Sequence, residues 1–423
     1  MKGLFKGYFN LISVDLSNFD ISKVTDVGEM FYGCSRLKQV NFENLQTSEV
    51  ANMSSLFRGC SSLTSIDLSF FNFSKVKDMG YMFYGCSQLK VQNINFGNIN
   101  SSSLQNMKGT FQNCYNLTSM DLSIFDFSKV TDLGYMFYGC SLLKEIEFGN
   151  VETPELLNMN SLFGDCPNLT SIDLSNFDFS KVPDMGNMFY SCSNLKFENI
   201  NFGNINSSSV KNMRGLFQRF INLTSLDLSD FDLSLVTDIG YIISGCQKLK
   251  SENINFGNIN ESEISEIDGL FEDLIELTSI DLSFINLSKV KNMEGLFRGC
   301  SKLEKINFGN LNTSVPTTVY GLFEGCSSLT SIDLTPINFA NITDIDCIFY
   351  GCSKLENINF GNMDKAKPIY ICGLFDGCSS LTSLDISFLD FSEVEEIDSM
   401  FNGCSKLEKI NFGNITTPNS AYI

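Results

Sequence analysis

The chain contains no histidine and no tryptophan. Without imidazole there is no Ser-His-Asp triad, no histidine-bound zinc and no imidazole general base. Long apolar runs are missing as well: nothing approaches the ~18 uninterrupted apolar residues of a membrane-spanning helix, so no membrane insertion is expected. The opening "MKGLFKGYFNLISVDLS" lacks the apolar run and small-residue cleavage site of a signal peptide. Positive charge is in short supply, with 29 Lys and Arg against 49 Asp and Glu and a net charge of −20. That balance argues against nucleic acid or an anionic membrane as partner. It is compatible with cationic ligands, calcium or simple solubility. Apolar residues make up 43%, which argues against disorder and supplies a large core. An aperiodic chain of 423 residues would suggest two or three domains. This chain is periodic.

Aligned on the steps x-D-L-S and x-N-F-G, each unit contributes one residue to a single column. The column reads Asp15, Asn41, Asp67, Asn95, Asp121, Glu147, Asp173, Asn201, Asp227, Asn255, Asp281, Asn307, Asp333, Asn359, Asp385 and Asn411. The spacing is 26 residues, stretched to 28 three times, each time after "LK", as an edge loop of a solenoid would be. Two unit types alternate, one reading "LTSIDLSFFNFSKV" and the other "INFGNINSSSLQNM", so the true repeat is a pair. Ile66 and Leu68 have the period of a short strand, with Ser65, Asp67 and Ser69 facing outward. Met79, Met82, Phe83 and Cys86 have the i, i+3, i+4, i+7 spacing of one helical face. Asp78 sits where an N-cap belongs and Gly85 where a helix-ending glycine belongs. No such unit buries its apolar face alone, so neighbours must stack. The pattern predicts an α/β solenoid, a leucine-rich-repeat-like stack of about sixteen units of 26–28 residues, with a single parallel sheet and short helices opposite. Residues 1–423 are expected to form one continuous solenoid.

The string "LTSIDLSFFNFSKVKDMGYMFYGCSSL" describes the repeat, with F-x-x-S-x-V-x-x-M followed by M-F-x-x-C-x-x-L. It resembles the BspA-like leucine-rich repeats, specifically the DUF285-type surface-protein repeat, over essentially the whole chain. The resemblance implies a surface-displayed recognition or adhesion module without catalysis. It supplies no ligand and no residue-level site.

Thirteen units place a cysteine in one column: Cys34, Cys60, Cys86, Cys114, Cys140, Cys166, Cys192, Cys246, Cys300, Cys326, Cys352, Cys378 and Cys404. The other three hold Tyr8, Phe220 and Leu274 there. A metal ligand or disulfide partner does not exchange with Phe or Leu, whereas a buried small hydrophobe does. These cysteines are therefore read as buried, reduced thiols, and Cys140→Ser is expected to strand a hydroxyl at a cost of about 1–3 kcal/mol. Cys347 and Cys372 fall outside the column, in adjacent units; they either face each other or are two unrelated small residues. A phenylalanine column runs from Phe5 to Phe401 with Ile243 as its one substitution, and is assigned to the core. Sequons such as those at Asn116 and Asn168 recur with the repeat and carry no separate message. "GNINSSS" lacks the lysine of a phosphate loop and reads as a turn.

The outward Asp/Asn column, from Asp67 to Asp333, is the candidate ligand face. Two readings of it stand. Alternation separates like charges from ~4.8 Å to about 10 Å, beyond the ~8 Å Debye length, and asparagine amides can ladder between rungs. Alternatively the column is an acidic, hydrogen-bonding surface for a cationic protein or glycan partner. Apart from Cys347 and Cys372, the carboxylates and cysteines that can be placed belong to repeated columns, which argues against an enzyme; no cofactor or metal is expected. The chain is read as truncated within a unit at both ends, since Met1 aligns with Met53 and Tyr422 with Tyr370. Uncapped edges at residues 1–12 and 405–423 would then permit end-to-end self-association. The leading expectation is a cell-surface or extracellular interaction module; the alternative is an intracellular, cytoplasmic leucine-rich-repeat scaffold in a protist.

Overall fold

The computed structural model describes residues 1–97, 99–309, 316, 318–339, 342–360 and 366–413. Of the second expected edge, residues 414–423 lie outside the described residues. Two compact units are present, Met1–Val210 and Lys211–Ile423, each a β-solenoid of stacked coils. The first carries β1 (Ser13–Asp15), β2 (Gln39–Asn41), β3 (Ile66–Asp67), β4 (Ile94–Asn95), β5 (Ser119–Asp121), β6 (Glu145–Glu147), β7 (Ile172–Asp173) and β8 (Ile200–Asn201). The second carries β9 (Leu226–Asp227), β10 (Ile254–Asn255), β11 (Ser279–Asp281), β12 (Lys305–Asn307), β13 (Ser331–Asp333), β14 (Asn357–Asn359), β15 (Ser383–Asp385) and β16 (Lys409–Asn411).

All strand pairing is parallel and joins a first-type coil to the second-type coil that follows, in column register, as with Asp67 and Asn95. The expected single sheet is not formed: among the described residues the strands pair in twos, giving eight two-stranded sheets. The close approach within a pair explains the grouping. Gly97, at φ +64°, has no side chain, and a Cβ there would lie 2.7 Å from Cβ of Ser69 in the preceding coil. The missing side chain lets the two coils of this pair approach closely. The three two-residue extensions form single 3-10 turns at Val91–Asn93, Phe197–Asn199 and Ser251–Asn253, each leading straight into a strand.

A continuous ladder runs elsewhere, through the residues expected to cap helices. Within the first unit Asp26, Asn52, Asp78, Asn106, Asp132, Asn158 and Asp184 are joined by successive parallel bridges. The expected helices after these positions are absent among the described residues; stacked turns replace them. Tyr81 has φ +56° and Gly85 +71°, and a left-handed residue at every fourth position cannot propagate an α-helix. Amides instead alternate between two kinds of partner. Met79, Tyr81, Phe83 and Gly85 donate to Asn106, Lys108, Thr110 and Gln112 of the next coil, at 2.7–2.9 Å. Met82, Tyr84 and Cys86 donate three residues back within their own coil, at 3.0–3.1 Å. A two-turn helix would have left its first-turn amides to a cap or to water; here about half of the amides are satisfied by the neighbouring coil. The apolar spacing that predicted a helix survives as burial, since Met79, Met82, Phe83 and Cys86 are all fully buried.

The phenylalanine column is a stack of rings. Phe83, Phe111, Phe137 and Phe163 follow one another at centroid separations of 5.7, 5.5 and 6.1 Å, with planes within 11° of parallel. The cysteines beside it are free thiols, as read from their exchange with Phe and Leu. Their environment corrects one expectation, however. Cys140 Sγ donates to the Phe111 carbonyl at 3.1 Å, and Cys60, Cys86 and Cys166 make the same bond to the phenylalanine of the preceding coil. Burial pushes the Cys140 thiol up to about 12, so it stays protonated and able to donate. A serine at this place also has a proton to give. Cys140→Ser is accordingly expected to cost about 1 kcal/mol or less in urea unfolding, because a partner awaits the hydroxyl. A loss of about 2–3 kcal/mol would restore the picture of an unsatisfied group.

Candidate ligand face

Each aspartate of the candidate column closes a turn. Asp67 Oδ1 accepts the amide of Ser69 at 2.9 Å, and Asp121, Asp173, Asp227, Asp281 and Asp333 repeat the bond two residues on, at 2.9–3.0 Å. This is the Asx turn that short polar side chains favour where a strand ends. The asparagines close the same turn in second-type coils: Asn95, Asn201, Asn255 and Asn307 accept from Gly97, Gly203, Gly257 and Gly309. An asparagine has a donor to spare, and it bridges the pair. Asn95 Nδ2 donates to Asp67 Oδ1 at 3.1 Å, Asn201 to Asp173 at 3.1 Å and Asn255 to Asp227 at 2.9 Å. Hydrogen bonds from Ser175 and Ser229 hold the Asp173 and Asp227 carboxyls below the ordinary carboxylate range, with the asparagine amides adding to the effect. The alternation of Asp with Asn is therefore a donor matched to an acceptor, and not merely a spacing of charge.

The same device recurs on the continuous ladder, a second Asp/Asn column that the sequence reading assigned to helix caps. Asn106 Nδ2 donates to Asp78 Oδ1 and Asn158 Nδ2 to Asp132 Oδ1, both at 3.0 Å. These residues are half-buried, and burial raises the Asp78 carboxyl.

One pair on the strand face breaks the pattern. Asp121 lies in register with Glu147, so a second carboxylate stands where the bridging amide should be. Glu145, two residues earlier, also faces outward, and the next first-type strand adds Asp173. These carboxylates line an open groove of about 570 Å³ with no lysine or arginine in its wall. A second groove, about 800 Å³, lies in the other unit along Asp281, Asn307 and Asp333 and is lined also by Glu252, Glu304, Phe284 and a single cation, Lys305. The structure thus brings Asp121, Glu147, Asp173 and Asn201 to one groove and Asp281, Asn307 and Asp333 to another; Asp67, Asn95, Asp227 and Asn255 line neither. Glu145, Glu252 and Glu304 escaped the sequence reading because only one outward column was followed. Glu145 lies two residues before Glu147, and strand alternation alone marks it as outward.

Among solved structures, a leucine-rich repeat protein from Bacteroides ovatus is 20% identical, with 98% of this chain and 86% of that one covered and a TM-score of 0.43. A leucine rich cell surface protein from Faecalibacterium prausnitzii is 17% identical, covering 97% and 84%, at a TM-score of 0.37. A leucine-rich repeat protein from Eubacterium ventriosum is 17% identical, covering 82% and 80%, at 0.36. No curated protein matches the sequence. The model of a family described as "Mycoplasma protein of unknown function, DUF285" matches residues 1–119, 105–221, 157–279, 193–306, 265–371 and 317–420, and the chain belongs to that family.

Proposed function

We propose that the chain is a non-catalytic interaction module, displayed at the cell surface, that binds an extended cationic protein segment along its strand face. The observation that carries this reading is the groove of Asp121, Glu145, Glu147 and Asp173, where the neutralising asparagine is replaced by a further carboxylate. Leaving two like charges in register costs stability. A cationic partner would recover that cost on binding. Each coil offers only one or two such groups, so the partner must span several coils. The surface location rests on the resemblance to BspA-like repeats.

The test is a triple variant, Asp121→Asn, Glu147→Gln and Asp173→Asn, measured against an oligolysine peptide at low and moderate salt. Asparagine preserves the acceptor for Ser123 and Ser175, so stability should change by no more than about 0.5 kcal/mol per site. Affinity should fall about tenfold and lose most of its salt dependence. A variant that binds as the parent does at both salts refutes the face. A second reading, an intracellular scaffold, is favoured by one observation: all fifteen cysteines are free thiols. Labelling of intact cells with a membrane-impermeant amine reagent separates the two locations.

A further inference from the structure

Cys347 and Cys372 stand apart from the other thiols. Both are half-buried, whereas the column cysteines are buried except Cys404, which keeps the column's bond to the Phe375 carbonyl at 3.1 Å. The Cys347 amide donates to the Cys372 carbonyl at 3.0 Å. Adding N–Cα and O···Cα spans of ~1.5 and ~2.4 Å caps the Cα separation at about 6.9 Å even if all were collinear, and any bend brings it inside the disulfide range. Cys347 Sγ already reaches into the next coil, 3.8 Å from the Cys372 carbonyl oxygen and 3.4 Å from where a Cβ on Gly373 would sit. Cys372 Sγ rests 3.8 Å from Glu396 Oε2 and needs only a rotamer change to turn back.

We propose that Cys347 and Cys372 form a modification site, which a small-molecule disulfide such as oxidised glutathione converts into a disulfide between adjacent coils. The Cys372 thiolate attacks one glutathione sulfur, the S–S bond breaks, and the departing glutathione thiolate takes up a proton. The Cys347 thiolate then attacks the Cys372 sulfur and expels the second glutathione. Two S–H groups are oxidised and one disulfide is reduced to two thiols. Cys372 reacts first because Cys347 is the more deeply placed, pushed up to about 11 by burial and by the Glu324 and Asp346 carboxylates, which outweigh Arg298. Burial together with Asp346, Glu396 and Asp398 raises Cys372 too. The reaction therefore accelerates as pH rises above neutrality, as more thiolate forms. It is independent of what binds the strand face.

The full chain is incubated with oxidised glutathione, capped with iodoacetamide and mapped by fragment-ion mass spectrometry. The expected product has lost the mass of two hydrogens, carries a Cys347–Cys372 link, and leaves the twelve buried column cysteines to be alkylated only after denaturation. Cys347→Ser should instead trap the glutathione adduct on Cys372, with no link. Mixed disulfides persisting on both residues of the parent, absence of any reaction, or a link involving a column cysteine such as Cys352 would each overturn the proposal.

Discussion

Phe137→Ala is expected to destabilise the chain by about 3–5 kcal/mol in urea unfolding, the largest single-residue effect we anticipate. Phe137 is fully buried and stacks on Phe111 at 5.5 Å and Phe163 at 6.1 Å, so its removal opens a cavity and breaks two ring contacts. Coils of a solenoid contact only their neighbours, which localises the damage. Amide protection should drop chiefly in the coils on either side, over roughly residues 105–165. Phe137→Ile is the control. Ile243 occupies the same column and is fully buried, so an aliphatic side chain fits the site, and a cost of about 1–1.5 kcal/mol is expected. If isoleucine costs nothing while alanine keeps its full cost, ring stacking contributes nothing and the column is only filler.

Gly109→Ala should cost about 2–3 kcal/mol, and Gly295→Ala only about 1 kcal/mol, although both glycines occupy the same left-handed column position. Gly109 has φ +58° and Gly295 φ +56°, so the backbone penalty is shared. The difference is what covers them. A Cβ on Gly109 would land in the Tyr81 ring of the preceding coil, while a Cβ on Gly295 meets nothing closer than Arg298 at 3.7 Å. The column itself tolerates side chains, since Ser55 and Tyr81 adopt φ +55° and +56° in it. Pairing Gly109→Ala with Tyr81→Ala should therefore recover about 1 kcal/mol of the loss, a non-additivity that a double-mutant cycle reads directly. Additive costs would show that the ring simply swings aside.

The strand half of each coil was legible because burial on one face imposes a period of two, and Ile66 with Asp67 obeys it. The alternation of coil types was legible too, and it is the alternation that the pairing follows. The turn half was not. Met79, Met82, Phe83 and Cys86 meet the burial pattern of a helix, and periodicity reports which residues are buried rather than which backbone buries them. The sign that was available is the recurrence of Gly109, Gly215, Gly269 and Gly295 in the middle of the supposed helix, where a helix disfavours glycine. On the candidate face, the column was found but its bonding was not. A sequence shows Asp alternating with Asn; it does not show that Asn95 gives one amide proton to Asp67. Once that bond is known, Glu147 becomes the one second-type residue of the column that has no amide proton to give.

The donor–acceptor pairing also constrains how a gene of this kind can change length. From Asp15 to Asp67 is 52 residues, and an excision of that size returns aspartate to its asparagine on the strand face and, with it, on the continuous ladder. Losing a single 26-residue unit instead sets aspartate against aspartate or asparagine against asparagine at two places in the same coil, and leaves a strand without its partner type. Recombination between identical repeats occurs at any register, but only the even steps leave a chain whose side chains still answer one another. Arrays built this way should grow and shrink by twos.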